Sequence, residues 1–200
     1  MTTSSFPGTE QVMAAVGAAV AEYERSGEGG ALLTTLREVG AAADARALSA
    51  AAASFAERPE VAGPLWERVV ELEPNDARAL VALANAYWLH GRGGDVVGEL
   101  ASRAIAADPA NRGAWHLWAL SEADIRARVA RWQQVADRFP TDELARALLA
   151  DNAASLAGAE HDEGALALAI RTYEGLLRTA QQPQRAALEK ALTTLRSWTL

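Results

Sequence analysis

The stretch Glu160-His161-Asp162-Glu163 sets one imidazole among three carboxylates. Imidazole and carboxylate are metal ligands, but a site needs three or four of them held around one point. The other histidines, His90 and His116, belong to other helical segments. Helix capping by Asp162, with Glu163 favouring the N-terminal dipole, accounts for the stretch without a metal. The chain has no cysteine, so thiol catalysis, disulfides and thiolate zinc sites are excluded. Gly91-Arg92-Gly93-Gly94 lacks the Lys and Ser/Thr of a phosphate-binding loop and follows no strand pattern. No nucleophile, base and orienting group fall together. The chain is therefore read as a non-enzyme with no catalytic residue, no metal and no cofactor.

A second cluster is cationic. Arg126, Arg128, Arg131 and Arg138 share one helix, and the last three fall on one side of it, away from Trp132. Such a face can meet an acidic partner or simply be solvated, with Asp124 and Asp137 beside it. The solvated reading is preferred, and whether the face is used stays open. The net charge of −7 opposes nucleic acid and anionic membranes as partners. The basic residues are eighteen Arg and a single Lys, Lys190, a skew that accompanies a GC-rich bacterial genome. No window approaches the 18 or so continuous apolar residues of a membrane span. Val12 to Ala21 is apolar, yet Glu10 stands where a signal peptide needs positive charge, so it reads as a first helix. A cytoplasmic location is expected.

These groups must be positioned by helices. About a quarter of the chain is alanine, β-branched residues are sparse and no long apolar–polar alternation occurs. Thr9 is expected to cap a helix to about Arg25, and Gly40 to end a short second one. Ala-rich 43–57 forms a third, which Pro59 closes while opening a fourth that also contains Pro64. Asn75-Asp76, Asp95, Asn111 and Thr141 mark further starts, and Ser121-Glu122-Ala123-Asp124 has the form of a capping box. A long turn is expected over Gly158 to Asp162, and a last helix over Leu188 to Trp198. One helix ending recurs: Trp66 to Pro74, Arg103 to Pro109, and Trp132 to Pro140. The three prolines stand 35 and then 31 residues apart. A period in this range signals stacked copies of one supersecondary unit. Trp66 and Trp132 each precede their proline by eight residues and are expected to be buried between helices.

Leu80, Leu83-Ala84 and Tyr87, with Ala62, Trp66, Val69 and Pro74, resemble the tetratricopeptide repeat (TPR), a helix-turn-helix of about 34 residues. The resemblance implies an all-α, right-handed α-α superhelix of antiparallel helix pairs. Units are placed at 43–76, 77–111, 112–142 and 143–180, between capping helices in 1–42 and 181–200. It implies peptide binding on the concave face formed by the first helix of each pair. Carried onto this chain, the groove positions are Arg78, Val81, Asn85, Trp88 and Leu89. Flanking units supply Asp44, Ala47 and Phe55, then His116 and Leu120, then Asp151. The family's basic clamp for chaperone C-termini is not expected, because Val81 stands where it needs a cation. The function implied is a scaffold that docks a protein or peptide partner in this groove. The alternative is a structural subunit that assembles with further copies through its terminal helices or convex face.

Overall fold

The computed structural model describes residues 7–199. Among them are eleven helices and no strand: α1 (Thr9–Ser26), α2 (Gly29–Ala42), α3 (Ala45–Ser54), α4 (Pro59–Leu72), α5 (Ala77–Leu89), α6 (Gly94–Ala107), α7 (Arg112–Leu120), α8 (Ile125–Arg138), α9 (Glu143–Glu160), α10 (Glu163–Leu177) and α11 (Gln184–Arg196). The fold is all-α. Compactness divides the chain within α7, between Leu117 and Trp118.

In the first unit α1 buries Val12, Val16 and Val20 and packs on α2 and α3. Gly8, not Thr9, is its N-cap. Gly40 does not end α2; it is buried within the helix, where Arg68 Nε of α4 donates to its carbonyl at 3.3 Å. A Cβ added there would stand 3.4 Å from Arg68 Cγ, an ordinary contact. Asp44 starts α3 by accepting from the Ala47 N–H at 2.8 Å, and Pro59 opens α4. The third helix is thus shorter than the 43–57 expected. Asp76 starts α5 by accepting from Arg78 and Ala79. Gly93 rather than Asp95 caps α6, leaving Asp95 in its first turn. Asn111 accepts from Ala114 at the head of α7. Contacts between these helices are lined by alanine: Ala51, Ala52, Ala84 and Ala101 have no exposed surface.

In the second unit Asp124 caps α8, with Glu122 accepting from the Asp124 N–H; Ser121 instead donates back to the Trp118 carbonyl. Asp142, not Thr141, caps α9 and is itself buried. α9 packs between α8 and α10, and α11 closes on α10. The turn expected from Gly158 is absent. α9 runs on to Glu160, His161 ends it in the left-handed region at φ 53°, and Asp162 at once caps α10. Gly158 stays helical, and the Trp198 ring lies beside it, 3.4 Å from where a Cβ would stand.

The tryptophans differ. Trp132 of α8 is 1% exposed. Trp66, expected to match it, is only half-buried: Leu65 and Val69 take the enclosed positions of α4 and leave the indole at the margin. Tyr87 is a fastener between helices. Its hydroxyl donates to Glu67 Oε1 at 2.6 Å, and the Arg92 guanidinium lies 4.4 Å above its ring. Burial, then the bond to Glu67, pushes the Tyr87 phenol up to about 12.

Two outcomes follow. Trp132→Ala should cost about 3–5 kcal/mol by urea denaturation, and Trp66→Ala clearly less; equal losses would contradict the burial difference. The raised folded pKa of Tyr87 means its contribution is fully present below about pH 10 and fades as pH rises towards 12. Absorbance at 295 nm should show a phenolate step near 12 that Tyr87→Phe removes, and that variant should lose less stability across this window than the wild type.

Candidate functional site

The expected groove residues of α5 do share a face. At about 100° per residue, Arg78, Val81, Asn85, Trp88 and Leu89 fall within about a 100° arc. The opposite arc carries Leu80, Leu83 and Ala84, which are buried. Packing therefore uses one side of α5 and leaves the other to solvent. Trp88 is 40% exposed and Leu89 62%. Arg78 and Asn85 are exposed, and neither side chain has a hydrogen bond or ion pair among the described residues. Val81 is half-buried beside Gly113, where an added Cβ would stand 3.5 Å from Val81 Cγ1. This small contact brings the start of α7 to the α5 arc, and His116, also half-buried, follows within α7. Asp44 is spent as the α3 cap and Phe55 is half-buried just past that helix. Ala47, placed in the groove by the sequence reading, is instead 2% exposed, packed in the α3 core.

Leu120 and Asp151 belong to the second unit. Leu120 is half-buried; Asp151 is exposed and accepts from the Tyr173 hydroxyl. Burial, then this bond, pushes the Tyr173 phenol well above its usual range. A hollow of about 450 Å³ lies nearby, floored by Ala154, Ala187 and Ala191 and walled by Trp198, with Lys190 on its rim. Trp198 is 36% exposed.

The arginine face is not simply solvated. Arg126 reaches Glu160 at 2.5 Å and Asp162 at 2.8 Å. The Ala165 N–H, then Arg126, hold the Asp162 carboxyl below its usual range. Arg128 donates to Asn152 at 2.7 Å and to the Glu122 carbonyl at 2.8 Å. Arg131 donates to the Trp118 carbonyl, lies 4.6 Å over the Trp118 ring and pairs with Glu122 at 2.6 Å. Arg138 lies over the Phe139 ring at 5.8 Å. These side chains bind the second unit to itself. The carboxylates of Glu160 and Asp162, on either side of His161, are likewise turned towards Arg126.

Sequence reasoning missed a cavity of about 260 Å³ in the first unit, walled by Tyr23, Leu33, Pro64, Ala86 and Tyr87. The available signal was Gly63-Pro64 inside a helix, two residues that weaken helices.

No family model matches the chain, and no curated protein matches it in sequence. Solved structures match its fold. The thermophilic TPR protein TTC0263 of Thermus thermophilus aligns with TM-score 0.56 at 16% identity, covering 96% of this chain and 100% of that one. A structure of MamA protein aligns with TM-score 0.60 at 14% identity, covering 88% and 98%. A second MamA structure aligns with TM-score 0.58 at 14% identity, covering 76% and 91%. At such identities the likeness is one of fold. Helix pairs with alanine at their contacts, the spacing through Leu80 to Tyr87, and these alignments agree: the chain is a TPR-like helical-repeat protein.

Proposed function

We propose that the chain is a non-enzymatic protein-binding module that docks a peptide or helix of a protein partner on the exposed arc of α5. The observation that carries this reading is Trp88. It stands 40% exposed, next to Leu89 at 62%, on the arc that packing leaves unused. Exposing an indole and a leucine side by side does nothing for stability, whereas tryptophan is a favoured anchor at interfaces. Arg78 and Asn85, with no internal partner among the described residues, supply donors for the backbone of a bound segment. Val81 and His116 flank them. Leu120 and Asp151, in the second unit, remain proposed contacts on which the reading does not depend. A TPR-like fold supports a scaffold of this kind, since an array of helix pairs presents surface rather than a reaction centre.

A second reading, self-assembly through the terminal helix, is favoured by the Trp198 ring exposed beside its apolar hollow. It predicts that the molar mass in solution rises with concentration and falls for Trp198→Ala.

The docking reading predicts that Trp88→Ala and Arg78→Ala each keep stability within about 1 kcal/mol of the wild type. Capture of the partner from native-cell extract should nevertheless fall by about tenfold or more for Trp88→Ala. Undiminished capture by both variants would overturn it.

A further inference from the structure

The cavity near Gly63 lies on the side of α5 away from Trp88 and is formed where α2, α4 and α5 approach. Its walls are Tyr23, Leu32, Leu33, Pro64, Ala86 and Tyr87. Gly63 is buried in its floor, yet a Cβ added there would meet nothing within 4 Å. The packing does not require this glycine, although glycine inside a helix costs about 1 kcal/mol relative to alanine. Next to it, Pro64 has no N–H to give to the Glu60 carbonyl one turn earlier. The helix is weakened within the stretch, Pro59 to Glu67, that borders the cavity.

The polar atoms left uncommitted on α4 here are acceptors. Glu60 and Glu67 stand two turns apart on one face. Glu60 Oε1 accepts from Arg58 Nε at 3.2 Å, and Glu67 Oε1 accepts from Tyr87. The Oε2 atom of each has no hydrogen bond among the described residues. The surrounding cations are already shared. Arg58 also holds Glu24 at 2.6 Å, and Arg92 lies on the Tyr87 ring with Glu67 at 3.8 Å. Among the residues that line the cavity, two carboxylates, Glu60 and Glu67, stand with one guanidinium, Arg92. The volume, about 260 Å³, is below the ~300–1,000 Å³ of sites for drug-sized ligands, which suits one long side chain.

We propose that this cavity takes one cationic side chain with an aliphatic stem, an arginine or a lysine, carried on a segment of a protein partner. The stem lies along Leu33, Pro64 and the Tyr23 ring. The head donates to the carboxylate oxygen left open on Glu67, with Glu60 beside it. This is a second docking surface, independent of the α5 arc.

The test uses the full chain, isotope-labelled for amide NMR, titrated with N-acetyl-L-arginine N-methylamide and with the neutral N-acetyl-L-norleucine N-methylamide. The expected result is saturable shifts for the arginine probe at the amides of Leu33, Gly63, Ala86 and His90. Affinity should fall about tenfold or more for Glu67→Gln and stay unchanged for Trp88→Ala. Gly63→Leu, which fills the space, should abolish the shifts, and Gly63→Ala should keep them in a chain at least as stable. Absent shifts, equal binding of the norleucine probe, or full binding by Glu67→Gln would overturn the proposal.

Discussion

Helices in this chain approach one another across alanine. Ala51, Ala84, Ala101, Ala150 and Ala153 have no exposed surface, and each sits where one helix meets the next. A one-carbon side chain lets two backbones approach to the close end of the usual helix–helix spacing, about 8 Å. Most of the other features follow. At such contacts a ring has no place, so bulky residues are displaced to the margins. Trp66 is left half-buried, Tyr87 reaches sideways to Glu67, and Trp88 is put into solvent. Trp132 and Tyr173, buried within the second unit, are exceptions.

The same closeness demands short connections, and the chain makes them with side-chain oxygen. Asp44, Asp76, Asn111, Asp124, Asp142 and Asp162 each accept from the first turn of the helix they precede. An unsatisfied N–H at a helix start carries a cost that these residues remove while fixing where the helix begins. The acidic character of the chain thus serves structure at its turns. Many of the arginines serve structure too, bridging carboxylates and carbonyls within one unit.

Much of this was legible before the structure. The proline-ended repeats and the spacing Leu80, Leu83-Ala84, Tyr87 pointed to paired helices and correctly assigned the buried side of α5. Exposure of Trp88 followed by subtraction. What could not be read were choices between equivalent local signals. Thr141 and Asp142 are both good caps, and only the geometry of the turn selects the second. Gly158 looks like a break, but glycine is tolerated within a helix, and α9 ends instead at His161 in the left-handed region. Arg128 and Arg131 look solvated on a wheel; their length lets them reach the Glu122 carbonyl and the Trp118 carbonyl. The groove position carried onto Ala47 failed because this short, alanine-rich α3 buries that turn in its own core.

Helix α5 has two chemically different sides. One is spent on packing and ends at Tyr87; the other presents Trp88, Leu89, Asn85 and Arg78 with nothing in its own unit to cover them. The most direct measurement is photocrosslinking in the native cell, with p-benzoylphenylalanine placed at position 88 and, as a control, at the exposed position 193 of α11. The account predicts a discrete adduct from position 88 to a different protein, and none from position 193. No adduct from position 88, or an adduct only to another copy of the chain, would contradict it.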